Sequence, residues 1–169
     1  MQFGAKPTPQ HIAKYERSPN WNGGKFHNLE RTNMSITFLD IPKLIYKQIT
    51  ERDQRAPKNP LPILPFDKYA FLETSDTTKF IWYGHSALLL RVISKTILID
   101  PMLGQNAAPI SPSPVRRFSK NTLKIIDDFP EIDLMLISHD HYDHLDFDSI
   151  QKLKQKTKQY YVALGVKRH

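Results

Sequence analysis

The sequence contains no cysteine, which excludes disulfide bonds and any metal held by thiolate. It has no apolar run approaching the roughly 20 residues needed to cross a bilayer. Its opening, Met1-Gln-Phe-Gly-Ala-Lys6, lacks the apolar stretch of a secretory signal. A soluble protein in a reducing, cytoplasmic setting is the expectation. Acidic residues are in short supply: 17 against 24 lysines and arginines leave a formal charge of +7. Six basic residues, Lys152, Lys154, Lys156, Lys158, Lys167 and Arg168, fall in the last 18 positions. Neither aromatic interleaving nor a nucleic-acid motif accompanies them. A solvated basic face is therefore expected, with no nucleic-acid partner and at most peripheral membrane contact.

Proline, by contrast, is abundant at 13 residues, clustered in the first 65 positions and again between Pro101 and Pro130. Both stretches read as loop-rich. Residues 1–75 lack sustained periodicity and are expected to form an extension, with one short helix within Ile36 to Ile49 and an extended run from Ala56 to Pro65. Residues 76–169 read as the folded domain. Phe80–Tyr83, Ala87–Ile93 and Thr96–Asp100 predict three strands of an antiparallel meander, turning at Ser94-Lys95. Ile132–Ser138, apolar almost throughout, predicts a fourth strand buried on both faces. Asp146 then reads as the N-cap of a helix, with Leu145 and Ile150 as a hydrophobic staple and Phe147, Ile150 and Leu153 as its apolar stripe. Tyr160–Leu164 predicts a further strand. The fold class is α/β (α+β).

The chemistry lies in Ser138-His-Asp-His-Tyr-Asp-His144, where the buried strand meets the helix. In extended backbone His139 and His141 point to one side, and Asp143 and His144 approach as the chain turns. Three imidazoles and one carboxylate within six residues form a ligand set suited to zinc, and tolerable for manganese or iron. Four of the seven histidines lie elsewhere, so it is the packing of three into one short segment that separates this site from an incidental polar loop.

His139-Asp-His-Tyr-Asp-His144 matches the H-x-H-x-D-H signature and resembles the metallo-β-lactamase superfamily at every fixed position. The resemblance implies an αββα sandwich with two zinc ions, or other divalent metals, at the sheet edges. It assigns His139 and His141 to the first metal and Asp143 and His144 to the second, with Asp143 also serving catalysis. Trp82-Tyr-Gly-His-Ser86, Leu98-Ile-Asp-Pro-Met102, Pro114-Val-Arg-Arg-Phe118 and Ser138–Asp146 recur in that order in proteins similar to N-acyl-phosphatidylethanolamine-hydrolysing phospholipase D. Ser18-Pro-Asn and Lys25-Phe-His-Asn-Leu29 resemble that branch's N-terminal extension. The chain departs from the branch at Asp140, often asparagine there, which is not a ligand position.

Other residues keep two readings. His85 either lines the substrate cleft or is a turn histidine bonded to backbone. Asp100, a carboxylate ending an apolar strand, either accepts from a metal-bound histidine or caps the local turn. Arg116 and Arg117 either meet a substrate phosphate or are exposed surface charge. The family's remaining ligands lie downstream of the signature, where this sequence offers only His169. The chain therefore reads as the N-terminal, truncated half of the sandwich, expected to be inactive and poorly stable alone. The expected function of the complete protein is metal-dependent hydrolysis of a phosphodiester, such as an N-acyl-phosphatidylethanolamine-like phospholipid or another small molecule. The alternatives are a lactone or amide hydrolase on the same fold, or a fragment without turnover.

Overall fold

The computed structural model describes residues 5–30, 37–51, 56–108 and 115–169. Ile36, at the start of the expected helix, and Pro114, in the Pro114–Phe118 segment, lie outside them. The described residues form two compact units: Lys6–Asn59, and Pro60–His169 together with Ala5.

The smaller unit carries more structure than its composition announces. Thr8 caps helix α1 (Pro9–Tyr15) by accepting from the His11 amide. A minimal hairpin follows, β1 (Trp21–Asn22) and β2 (Lys25–Phe26), paired antiparallel through Trp21↔Phe26 and Asn22↔Lys25. Its turn is Gly23-Gly24, both at positive φ (58° and 79°), a two-residue loop that glycine adopts without steric cost. The buried Tyr15 ring packs against Trp21 and Phe26 at centroid distances of 5.2 and 5.4 Å, which supplies a small aromatic core. The expected helix within Ile36–Ile49 is realised as α2 (Ile41–Thr50), entered through a 3-10 turn at Phe38–Asp40. Pro42 falls in its first turn, where the missing N–H costs nothing.

The larger unit is built on one five-stranded sheet: β3 (Lys79–Trp82), β4 (Leu88–Val92), β5 (Lys95–Ile99), β6 (Ile132–Ile137) and β7 (Thr157–Val162), in that spatial order. The first three strands form the expected antiparallel meander, and β5–β6 and β6–β7 pair parallel. Each parallel step needs a crossover. A 3-10 segment (Thr122–Asp128) lies in the first, and α4 (Phe147–Leu153) forms the second. These crossovers and α3 (Lys68–Leu72) cover one face of the sheet. Phe71, Leu89, Leu98, Leu103, Ile126, Phe129, Met135 and Leu153 are buried there in one cluster. The register puts Phe80, Trp82, Leu88, Leu90, Ile97, Ile99, Leu134 and Leu136 on the other face, where Phe80 and Trp82 are exposed and the rest half-buried. From Leu134 to Ile137 β6 is thus covered fully on one face only, where its apolar sequence had implied two, while Ile132 at its start is fully buried.

Two other expectations shift. The β4–β5 turn is Ile93-Ser94, both at positive φ (45° and 60°), and Lys95 already belongs to β5. Phe147, assigned to the apolar stripe of α4, is 41% exposed, while Leu153 is buried and Leu145 and Ile150 pack on the core. The terminal basic residues are partly employed in structure. Lys156 donates to the carbonyls of Ile126, Asp127 and Phe129, Lys152 pairs with Asp127, and Lys158 with Glu131 and Asp133. No helix of the described residues is long and apolar enough to cross a membrane.

Ile93 is 90% exposed in a left-handed conformation that a β-branched side chain strongly disfavours. Ile93→Asn should therefore raise the unfolding free energy by about 1 kcal/mol, since asparagine tolerates the turn and no packing is lost. An unchanged or lowered melting temperature would contradict the strain.

Candidate metal centre

The site forms where β5 and β6 end side by side. Asp100, just past β5, donates its amide to Leu136 O at 3.0 Å, which locks the two strand ends together. It adopts φ 41°, a conformation that aspartate tolerates better than most residues. The residue is 4% exposed, and its carboxylate turns toward the segment leaving β6. It accepts from the Ser138 amide (2.8 Å), from Ser138 Oγ (2.7 Å) and from His144 Nδ1 (2.9 Å). Burial works against the charge, but these hydrogen bonds outweigh it and hold the Asp100 carboxyl below the usual aspartate range. With Nδ1–H committed to Asp100, the His144 lone pair sits on Nε2. Of the two readings of Asp100, the structure displays the contact to the histidine, and Ser138 is joined to the same carboxylate.

Beyond Ser138 the chain turns sharply. The amides of His144 and Leu145 both donate to His141 O, at 3.0 and 2.7 Å, and Asp146 then caps α4 by accepting from the Ser149 amide at 3.0 Å. The turn gathers the signature residues. His139 Nε2 is 3.1 Å from His141 Nδ1, and the His139 and His144 rings lie 4.0 Å apart. Asp143 Oδ2 is 3.8 Å from His144 Nε2 and 2.9 Å from Nε2 of His85, which arrives from the β3–β4 connection. Asp140, between the two paired histidines, meets His169 at 3.3 Å instead.

These spacings suit a cation. Nitrogen and oxygen ligands about 2.0–2.1 Å from a tetrahedral zinc lie roughly 3.3 Å from one another. The observed separations of 2.9–3.8 Å bracket that value. All donors are imidazole or carboxylate, the set zinc and related divalent metals accept.

A cleft of about 390 Å³ opens beside Asp143 and His85, walled by Tyr83, Met102, Val115 and Arg117 among others. Arg116 is exposed, as surface charge would be, whereas Arg117 turns inward and donates to Met102 O and Tyr83 O. Burial lowers its pKa, opposed by the charge of Asp146. The loop carrying Met102 is anchored in turn: the amides of Leu103 and Gly104 donate to Ser149 Oγ and Asp146 Oδ2, both at 2.9 Å. A Cβ on Gly104 would lie 2.7 Å from both Asp146 carboxylate oxygens, so only glycine fits. Sequence reasoning gave Asp146 its cap but neither this second task nor any role to Ser138, which touches Asp100, His139 and His144. An apolar strand followed by a hydroxyl residue before the first histidine is the signal that could have marked Ser138.

Known proteins carry similar sequences around this geometry. Residues 95–169 match the family described as the beta-lactamase superfamily domain. An uncharacterized protein of Mycobacterium tuberculosis is 28% identical over 158 residues, covering 91% of this chain and 41% of the relative. N-acyl-phosphatidylethanolamine-hydrolyzing phospholipase D 1 of Caenorhabditis elegans is 32% identical over 89 residues, 52% of this chain and 25% of that protein. A UPF0173 metal-dependent hydrolase of Sulfolobus acidocaldarius is 39% identical over 77 residues, 46% of this chain and 28% of the hydrolase. Residues 95–169 are thus similar to the beta-lactamase superfamily domain, and the five-stranded sheet with flanking helices is consistent with part of a metallo-β-lactamase fold. The chain spans about two fifths of the length of the mycobacterial relative, 41%.

Proposed function

We propose that this chain supplies the metal-binding half of a metal-dependent hydrolase, with His139, His141, Asp143 and His144 as ligands and a phosphodiester as substrate. The observation that carries the metal reading is the Asp100–His144 contact of 2.9 Å, which points Nε2 of His144 toward Asp143. Metal-ligating histidines typically donate their other ring N–H in this way. Zinc fits the donors best, in a pair in the complete site, and other divalent ions remain compatible with them. A divalent cation held there would acidify water and polarise the bond under attack.

The chain's own residues do the rest. Asp100 and Ser138 fix the rings, and Asp143 faces both the histidines and the cleft, where it can orient the attacking nucleophile. Arg117 supports an anionic substrate: it is a half-buried cation beside the cleft with no ion pair among the described residues. A phosphate-bearing small molecule or phospholipid headgroup would present a complementary anion to it. The name of the Caenorhabditis elegans relative, a hydrolase of N-acyl-phosphatidylethanolamine, favours the same class.

Direct binding tests this reading. The zinc-loaded chain should bind glycerophosphoethanolamine, a soluble phosphodiester, and Arg117→Gln should weaken that binding by about 10-fold or more, the loss of one charge-assisted hydrogen-bonding partner. Preferential binding of a lactone, unaffected by the substitution, would move the function to a lactone or amide hydrolase.

A further inference from the structure

His85 is separated from the signature by more than fifty residues, yet it touches both Asp143 and His144. Its Nε2 lies 2.9 Å from Asp143 Oδ2, and its ring meets the His144 ring edge-on at 5.2 Å. One donor atom from each of His85, Asp143 and His144 falls within 4.8 Å of the others. We infer that His85 is itself a metal ligand, closing with Asp143 and His144 a three-donor site next to the His139–His141 pair. This rests on the metal reading above and adds to it a donor from outside the signature.

Three observations support the assignment. First, the other two donors are already directed: His144 Nδ1 is held by Asp100, so that its Nε2 is the free atom, and the Asp143 main-chain carbonyl accepts from Ser86 Oγ at 3.3 Å. Second, His85 adopts φ 48°, a left-handed conformation costly for a side chain of its size. The turn enforces it. Ala87 donates its amide to Gly84 O at 3.1 Å, and the Trp82 indole N–H donates to His85 O at 2.9 Å. Backbone strain held by two hydrogen bonds delivers the imidazole to one place, and that place is the Asp143 carboxylate. Third, the separations of 2.9 and 3.8 Å from Asp143 Oδ2 to the two imidazole nitrogens bracket the roughly 3.3 Å expected between two ligands of one tetrahedral ion. A histidine serving only as a hydrogen-bond donor to Asp143 is the competing role, and the two roles respond differently to substitution.

The experiment is Co2+ binding to the whole 169-residue chain, followed by ligand-field absorption and by competition with a chelator. Two variants are used. Asparagine in His85→Asn tolerates the left-handed turn and removes the imidazole. Glutamine in His85→Gln keeps an N–H that can reach Asp143 but is a poor ligand. Both should weaken Co2+ binding by more than about 100-fold, beyond the loss on removing an outer hydrogen-bond partner of a metal ligand, and should change the absorption envelope. Melting of the metal-free chain should not fall in either variant. Wild-type affinity and spectrum in His85→Gln would overturn the inference, because a donor alone would then suffice. Asp143→Ala and His141→Ala, run in parallel, separate the two levels. If they lose Co2+ and the His85 variants do not, only the inference fails; if none of the four loses it, the metal reading fails as well.

Discussion

Asp100→Asn should weaken zinc binding by about 10- to 100-fold, the range seen when an outer partner of a metal-bound histidine is removed, and it should do so with the fold retained. The reason is the direction of one proton. The Asp100 carboxylate can only accept, and it accepts from the Ser138 amide, from Ser138 Oγ and from His144 Nδ1. Asparagine keeps one oxygen for the Ser138 amide and presents an NH2 group to the others. Facing a donor, His144 Nδ1 becomes the acceptor, and the proton moves to Nε2, the atom that faces Asp143. The ring stays in place with its lone pair pointing the wrong way. Chelator competition on the purified variant reads the affinity, and circular dichroism checks the fold. Wild-type zinc affinity in Asp100→Asn would show that Asp100 only caps the turn, the second of the roles its sequence position allowed.

The second large effect is on stability. Phe129→Ala should cost about 3–5 kcal/mol, the usual result of emptying a buried aromatic site. Phe129 is 2% exposed, and its ring packs against Phe66 at 5.8 Å and Tyr83 at 5.4 Å. Its carbonyl accepts from Lys156 Nζ at 3.0 Å, so the residue also ties the crossover before β6 to the start of β7. Against a total stability of about 5–15 kcal/mol for an ordinary domain, the loss would be a large fraction. Phe80→Ala is the natural control, because Phe80 is 69% exposed on the other sheet face and should change stability by no more than about 0.5 kcal/mol. Equal effects at the two positions, read by urea unfolding, would mean that the core is not on the helix-covered face.

Much of the larger unit was legible because each element carries a local signal. The apolar run 132–138 could only be a buried strand, and it forms from Ile132 to Ile137. Asp146 could be named as a cap because its side chain acts three residues ahead, within one turn. The turn between β4 and β5 was displaced by one residue because Ile93 reads as strand by composition, whereas the hairpin holds it at positive φ. The start of β7 was missed because Thr157, Lys158 and Gln159 carry no apolar signal; pairing with β6 decides their conformation. In the smaller unit, two strands of two residues each have no periodicity to find, and a Gly-Gly turn with three aromatic rings carries the structure. The cluster from His139 to His144 was visible as a spacing. His85 and Arg117 reach the same place only through tertiary folding, across separations that a local pattern does not register.

Whether the turn after β6 binds metal decides the function of the site. The most direct measurement is zinc content and affinity of the purified 169-residue chain beside His141→Ala, by elemental analysis after dialysis and by chelator competition. His141 lies 3.1 Å from His139 and has no part in the buried core, so its removal tests the ligand set without emptying the interior. Chelator-reversible zinc is expected on the wild-type chain and its loss from His141→Ala, with unfolding of the metal-free proteins unchanged. Equal zinc content in the two, or none in the wild type, would contradict the metal reading.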